Sequence, residues 1–264
     1  MLDLLQTLLL GLIQGITEWL PISSTAHLKL AGEFLGLNVT PLLNIILHLG
    51  TLTVLIFFFR KEIKNILAAL ARLDFKSENG MLIPRIVVAT VPTAIVSMAY
   101  VVFLRDSLQT FSIIAVTFLI GATIVFSTKF SKEKTDGLSY KTALLIGLAQ
   151  GFAIFPGLSR SGISIATALL LGLKRDKAFK FSFLLSIPAV LGDFAVEIYS
   201  ARSSLSIAGV DEFGLVLGFA AAAIIGYFAL RLVSSVVRGR KFHYFAIYTF
   251  ALGLTLLLYT LLVH

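Results

Sequence analysis

The sequence has 264 residues, a formal net charge of +8, 58% hydrophobic residues and a mean hydropathy of +0.96. Only 14% of the residues are charged, against about 25% in an ordinary soluble domain, which excludes a water-soluble globular protein. The absence of cysteine excludes disulfides, thiolate nucleophiles and cysteine-ligated metals. Long apolar runs such as 42–59 and 113–126 do not alternate polar and apolar residues as the strands of a membrane β-barrel do, which excludes that class. The composition therefore predicts an all-α polytopic membrane protein.

Eight hydrophobic segments follow one another along the chain, and two of them are broken. In chain order they are 3–36, 41–59, 82–104, 111–129, 140–173, 178–199, 213–236 and 243–262. Segment 3–36 is interrupted at Pro21 and segment 140–173 at Pro156-Gly157, where a helix cannot continue. The arm after each break has about 13 residues, or about 20 Å, which is shorter than a hydrocarbon core of about 30 Å. We therefore predict six transmembrane helices and two re-entrant helical hairpins.

Two pairs of similar sequences predict an internal duplication. "GLIQGITEWLP" at 11–21 resembles "GLAQGFAIFP" at 147–156, and "VTFLIGATIVFST" at 116–128 resembles "YTFALGLTLLLYT" at 248–260. The expected repeat halves are residues 1–130 and 139–264 of a single membrane domain. Each half contains three spanning segments, an odd number, so the second half should be inverted relative to the first.

The distribution of basic residues supports hairpins that do not cross the membrane. Most basic residues lie in four clusters, at 60–76, 129–141, 174–180 and 231–241, and the remaining loops hold Arg105 and Arg202. If neither hairpin crosses, all four clusters face the cytoplasm, as the positive-inside rule requires. The first hairpin then enters from outside and the second from the cytoplasm, and their broken tips meet near the midplane. The positive charge is thus assigned to topology and lipid headgroups, not to nucleic acid.

The polar residues of the chain concentrate at the two breaks. Gln14 and Glu18 are four residues apart and share one helix face. After the first break, Ser23 and Ser24 are favoured N-cap residues for a new helix, which places His27 one turn inside it. A carboxylate at this depth is costly and indicates a functional role.

The second break, "PGLSRSGISIAT", has a similar pattern. Ser159 and Ser161 are cap candidates, and Arg160 lies between them. Two helix N-termini, seryl hydroxyls and one arginine together favour an anion, phosphate especially. Glu18 and His27 supply the acid–base or metal-binding pair that such an anion's chemistry needs.

Structural roles compete with functional ones at several positions. A serine after a proline is often only a helix cap. Gly11 and Gly147 are interpreted as sites of close helix packing. His48, within segment 41–59, is compatible with either a functional or a structural role, and His243 is interpreted as structural.

The motifs "QGITEWLPISSTAHL" and "PGLSRSGISIAT", with "LHLGTL" and "FSFLLSIPAVLG", carry a resemblance that runs along essentially the whole chain. The sequence resembles the membrane-embedded undecaprenyl-diphosphate phosphatases of the bacitracin-resistance type. The resemblance implies removal of one phosphate from a C55 isoprenyl diphosphate at the outer face of the plasma membrane. That reaction regenerates the monophosphate carrier lipid for cell-wall polymers and confers bacitracin resistance. The resemblance also implies a divalent cation, Mg²⁺ or Ca²⁺.

The resemblance further implies roles for individual residues. The catalytic residues it implies are Glu18, Ser24, His27 and Arg160. The substrate-binding residues it implies are Gln14, Ser23, Thr25, Ser159 and Ser161. It also implies Glu18 and Gln14 as metal ligands. Gln14 departs from the family, which often has Glu there, and this weakens its metal role. Asp193 stands where a small residue is expected and forms a like-charged i,i+4 pair with Glu197, with no functional interpretation.

The mechanism implied has Arg160 and the hairpin-tip N–H groups holding the terminal phosphate, with the cation bridging it to Glu18. Ser24 is the expected nucleophile and His27 the acid–base group that later activates water. Attack by His27 itself or directly by water stays open. The functional atoms of these four residues are expected within about 4–6 Å of a common point, in a cavity open to the outer leaflet.

A second class of function is also compatible with the sequence. Inverted repeats with broken helices at the midplane are typical of transporters, so a transporter or flippase of an anionic lipid or small anion is the alternative. A transporter needs no nucleophile. The expected partners are the polyprenyl diphosphate lipid and the bilayer, and a homodimer is left open.

Overall fold

The computed structural model describes residues 4–37, 39–105, 107–201 and 212–263, so Arg202 lies outside the described residues. Within these ranges the chain is helical, with two short 3-10 helices and no β-strand. The α-helices are α1 (Leu4–Trp19), α2 (Ser24–Leu35), α3 (Pro41–Phe58), α4 (Arg60–Ala71), α5 (Leu82–Phe103), α6 (Phe111–Ser127), α7 (Tyr140–Phe152), α8 (Arg160–Leu170), α9 (Arg175–Ala201), α10 (Glu212–Arg238) and α11 (Phe245–Val263).

Six helical stretches in the described ranges are long and apolar enough to cross a membrane. They are Pro41–Phe58, Leu82–Phe103, Phe111–Phe130, Arg175–Ser200, Glu212–Arg238 and Phe242–Leu262. Each coincides with one of the six predicted spanning segments, to within a few residues at its ends. The prediction of an all-α polytopic membrane protein with six spanning helices is confirmed.

The basic segment 60–76, predicted to be a loop, contains a helix. The helix α4 carries Arg60, Lys61 and Lys64 near its start, while Leu67 and Leu70 remain 57% and 44% exposed. Ile63, Leu67 and Leu70 recur at spacings of four and three residues, so they share one face of α4, as is typical of an amphipathic helix in the membrane interface. The prediction of a loop is wrong here, because it rests on the charges of this segment and not on its amphipathic spacing.

Both broken segments are interrupted where the prolines predict. The helices after the breaks, α2 and α8, have 12 and 11 residues. They rise about 16–18 Å, too little to cross a hydrocarbon core of about 30 Å. These lengths are compatible with re-entrant hairpins, and the side from which each hairpin enters stays a prediction.

The broken segments pack against spanning helices at very short range. The helix α1 lies along α10, and α7 lies along α5. A Cβ atom at Gly11 would be 2.6 Å from the carbonyl oxygen of Gly218, and one at Gly147 would be 2.0 Å from that of Ala89. The interpretation of these glycines as packing sites is therefore confirmed. The helices α1 and α5 belong to the predicted first half and α7 and α10 to the second, so each of these pairings joins one half to the other.

Candidate active site

The two breaks lie against one another. A Cβ atom at Gly162 would be 3.0 Å from the Cβ atom of Pro21, so the start of α8 touches the first break directly. The backbone N–H of Gly157 donates a hydrogen bond of 3.2 Å to the hydroxyl of Ser23. Segments more than 130 residues apart in the chain therefore form one junction, as the sequence predicted for the hairpin tips.

The serines at this junction take different roles. Ser159 caps α8, since its hydroxyl accepts a hydrogen bond of 3.2 Å from the N–H of Gly162. Ser161 lies inside α8, and its hydroxyl and that of Ser159 donate to the carbonyl of Leu20 at 3.4 and 3.3 Å. Ser23 occupies the N-cap position of α2 with φ 70°, but its side chain makes no capping bond. Ser23 therefore takes the predicted N-cap position of α2, but its side chain does not cap the helix, because its hydroxyl is turned toward the second break.

Glu18 is the centre of a buried polar cluster at the end of α1. Its side chain is 7% exposed. Its Oε2 atom accepts hydrogen bonds from Nε2 of Gln14 at 3.0 Å and from the hydroxyl of Ser24 at 2.6 Å. The same oxygen lies 3.6 Å from Nε2 of His48, on α3. A carboxylate that accepts a hydrogen bond from a hydroxyl at this distance can act as a general base toward that hydroxyl.

Arg160, the first residue of α8, is held by a carboxylate that the sequence left without a role. Its Nη2 donates to Oδ2 of Asp193 on α9. Its Nη1 is buried and has no hydrogen-bond partner among the described residues. The guanidinium also interacts electrostatically with Glu18. One terminal nitrogen of Arg160 is thus paired with Asp193, and the other is available to an anion.

His27 makes its described contacts with the backbone of Ser23 and with the helices α6 and α11. Its Nδ1 lies 2.8 Å from the carbonyl oxygen of Ser23, and its Nε2 lies 2.8 Å from the hydroxyl of Tyr248 on α11. The imidazole stacks on the Tyr248 ring and meets Phe118 of α6 edge-on. The imidazole in contact with Glu18 is that of His48. The grouping of His27 with Glu18, Ser24 and Arg160 about one point therefore stays a prediction.

A cavity of about 870 Å³ lies beside the junction. Its polar lining includes Thr25, Lys29, Asn44, His48, Arg160 and Asp193. Residues of the α5–α6 connection, Arg105 and Gln109, line it too. The volume falls in the range of small-molecule sites, which suits a phosphorylated head group better than a whole polyprenyl lipid. Thr25, Arg160 and His48 thus face one common space.

The donors around Glu18 fit a hard divalent cation that a phosphate helps to hold. The described residues contain no group of three His, Asp or Glu side chains arranged for a metal. Gln14, whose Nε2 donates to the Glu18 carboxylate, has a buried Oε1 atom without a partner among them. Mg²⁺ is commonly bound by one or two carboxylates plus substrate phosphates. One carboxylate and one free amide oxygen match that pattern.

Sequence reasoning missed three residues of this region. His48 was left open, because its position in a spanning helix did not show which way it faces. Asp193 was noticed only as a departure from an expected small residue. Tyr248 gave no signal, because an aromatic residue in an apolar helix is ordinary.

The chain aligns with one family and with curated proteins along nearly its whole length. The profile of the family described as bacitracin resistance protein BacA matches residues 7–255. An undecaprenyl-diphosphatase of Carboxydothermus hydrogenoformans is 38% identical over 257 residues, covering 96% of this chain and 95% of that protein. One of Treponema denticola is 38% identical, covering 98% of each chain, and one of Korarchaeum cryptofilum is 36% identical, covering 97% and 99%. The chain belongs to the bacitracin resistance protein BacA family.

Proposed function

We propose that this chain hydrolyses undecaprenyl diphosphate to undecaprenyl phosphate and inorganic phosphate. The curated relatives that support this are named undecaprenyl-diphosphatase and align with nearly the full chain. The observation that carries the proposal is the junction of the two breaks. There a serine hydroxyl is bound to a buried carboxylate, and the arginine of the second break, which has a free donor, lines a cavity. Bacitracin resistance follows from the same reaction, as the family description implies.

In the proposed reaction Ser24 attacks the terminal phosphorus while Arg160 holds the phosphate oxygens. The Ser24 proton passes to Glu18, whose Oε2 atom already accepts it at 2.6 Å. A new P–O bond forms, the anhydride P–O bond breaks, and undecaprenyl phosphate leaves with the bonding electrons. Water then attacks the phosphoserine, Glu18 returns the proton to Ser24, and inorganic phosphate leaves.

A divalent cation held by Glu18 and Gln14 would neutralise part of the diphosphate charge. The chain itself supplies the nucleophile, the base and the guanidinium. In the Ser24 route His27 is the acid–base group that activates the water, and direct attack by His27 or by water stays open. Phosphoserine trapped on Ser24 by rapid acid quench would separate the Ser24 route from the other two.

We propose that the cavity opens toward the outer face of the plasma membrane. Arg105 and Gln109, which line it, belong to the α5–α6 connection. The positive-inside rule assigns that connection to the outside, opposite the basic clusters. The head group would enter there, and the prenyl tail would remain between the helices and the lipid.

The test is phosphate release from undecaprenyl diphosphate by the purified full chain in lipid nanodiscs. We expect release that EDTA abolishes and that added Mg²⁺ or Ca²⁺ restores. Arg160→Ala should lower the rate at least about 10²-fold, the usual loss on removal of a charge-stabilising group. Arg231→Ala, at an exposed position of α10, is the matched control and should retain the rate. Wild-type turnover by Arg160→Ala would contradict the site.

The competing proposal, a flippase of an anionic lipid, is favoured by the packing of two broken helices against one another. The same purified protein reconstituted in liposomes distinguishes a flippase from a phosphatase. A flippase moves the intact fluorescent lipid and releases no phosphate, and Ser24→Ala leaves that movement unchanged. A phosphatase loses phosphate release in Ser24→Ala.

A further inference from the structure

The imidazole of His48 has a defined tautomer. Its Nδ1 lies 2.9 Å from the backbone carbonyl oxygen of Asn44. A carbonyl can only accept a hydrogen bond, so Nδ1 carries the hydrogen. In a neutral imidazole the other nitrogen, Nε2, then carries a lone pair, and this is the atom that faces Oε2 of Glu18.

The spacing between His48 and Glu18 suits a shared ion better than a direct bond. The two atoms are 3.6 Å apart. A hydrogen bond between a charged donor and a carboxylate is shorter, about 2.7–2.9 Å. Two donors that each lie about 2.1 Å from one ion are about 3.0 Å apart at a right angle and about 4.2 Å apart when opposite. The observed spacing falls inside that interval.

Two further features of the cluster are those of a metal site. A histidine that binds a metal commonly donates its other ring N–H to a backbone carbonyl, as His48 does to Asn44. The buried Oε1 atom of Gln14 has no partner among the described residues, and the Gln14 amide adjoins Glu18. The side chains of His48 and Glu18 are 17% and 7% exposed, so little water competes for either.

We infer that His48 is a ligand of the divalent cation, through Nε2, together with Glu18 and the amide oxygen of Gln14. The inference takes the need for a cation from the proposed function and adds the histidine ligand. Ca²⁺ and Mg²⁺ prefer oxygen ligands, whereas an imidazole ligand raises the affinity of a site for transition metals. The neutral amide of Gln14 contributes an oxygen without charge, so the site has one anionic ligand before the substrate binds.

The experiment uses Mn²⁺ as the probe, with the full chain in nanodiscs and no substrate. Electron spin echo envelope modulation of bound Mn²⁺ should show coupling to an imidazole nitrogen. His48→Gln should lose this coupling and weaken Mn²⁺ binding at least about tenfold, by analogy with the loss when groups around a metal are removed. His27→Gln, the same substitution at the histidine that contacts Tyr248, should keep both the coupling and the affinity.

A second variant covers the case in which His48→Gln does not fold. His48→Asp replaces the nitrogen donor by an oxygen donor, so it should bind Mn²⁺ without nitrogen coupling and should bind Ca²⁺ relatively better than the wild type does. Nitrogen coupling that persists in either His48 variant, or that disappears in His27→Gln, overturns the inference. Absence of Mn²⁺ binding to the wild type overturns it as well.

The assignment of His48 as a ligand and the proposed function can be refuted independently. If the wild type releases phosphate but His48→Gln leaves Mn²⁺ affinity and nitrogen coupling unchanged, the ligand assignment is wrong and the proposed function stands. If the wild type shows nitrogen-coupled Mn²⁺ but releases no phosphate from undecaprenyl diphosphate, the proposed function is wrong and the ligand assignment stands.

Discussion

Asp193 should weaken substrate binding, because its carboxylate competes with the substrate phosphate for the guanidinium of Arg160. Its carboxylate accepts a hydrogen bond from Nη2 of Arg160, and the two side chains are 40% and 27% exposed. An ion pair this accessible to water contributes about 1 kcal/mol at most, which corresponds to a factor of about five in binding. Asp193→Asn removes the charge and keeps a carbonyl oxygen that can still orient Arg160. We therefore expect the KM for undecaprenyl diphosphate to fall about fivefold, with kcat within twofold of the wild type.

The assay is initial-rate phosphate release over a range of lipid substrate fractions in nanodiscs. Glu197→Gln is the matched control, because Glu197 lies one turn further along α9 and binds Asn44 at 2.7 Å. An equal fall in KM in Glu197→Gln would show a general charge effect of the cavity and refute competition at Arg160. A kcat that drops more than tenfold in Asp193→Asn would refute it too, because Asp193 would then be needed to position Arg160.

Three further outcomes test the site and the topology. Ser24→Ala should lower phosphate release at least about 10²-fold without changing the thermal unfolding midpoint, and near-normal release would remove Ser24 from the reaction. Gly162→Ala should destabilise the fold by about 1–3 kcal/mol in thermal unfolding, because the new methyl group meets Pro21, whereas Gly192→Ala has open space and should not. Cysteines at Ser131 and Gly239 should be labelled only from the cytoplasmic side, and opposite accessibility would show that the second broken segment crosses the membrane.

The spanning helices could be predicted because the bilayer imposes a strong and simple condition. A segment inside it must satisfy its own backbone hydrogen bonds and be apolar over about 20 residues, and both properties are visible in composition. The breaks were visible for the same reason, since Pro21 and Pro156 interrupt otherwise suitable segments. The helix α4 was missed because a short amphipathic helix in the interface needs neither length nor uniform hydropathy.

The direction of side chains near the first break could not be predicted. Ser23 has φ 70°, a value that few non-glycine residues adopt, and no propensity indicates it. That backbone conformation sets the path by which α2 leaves the junction. Ser24 then meets Glu18, while His27 meets Tyr248. The sequence placed His27 with the polar residues at the break and left the role of His48 open, and only the three-dimensional path shows that His48 is the one in contact with the carboxylate.

The two acidic residues of α9 show how a pattern that is unfavourable in one helix becomes favourable in the fold. Asp193 and Glu197 are one turn apart, and like charges at that spacing cost a few tenths of a kcal/mol in an isolated helix. Each has its own partner on another helix, Arg160 on α8 and the amide of Asn44 on α3. The backbone carbonyl of Asn44 in turn accepts the hydrogen bond from His48. The carboxylates therefore hold α9 against both the arginine and the helix that carries the histidine, so the pair that the sequence left unexplained connects the anion-binding and carboxylate sides of the site.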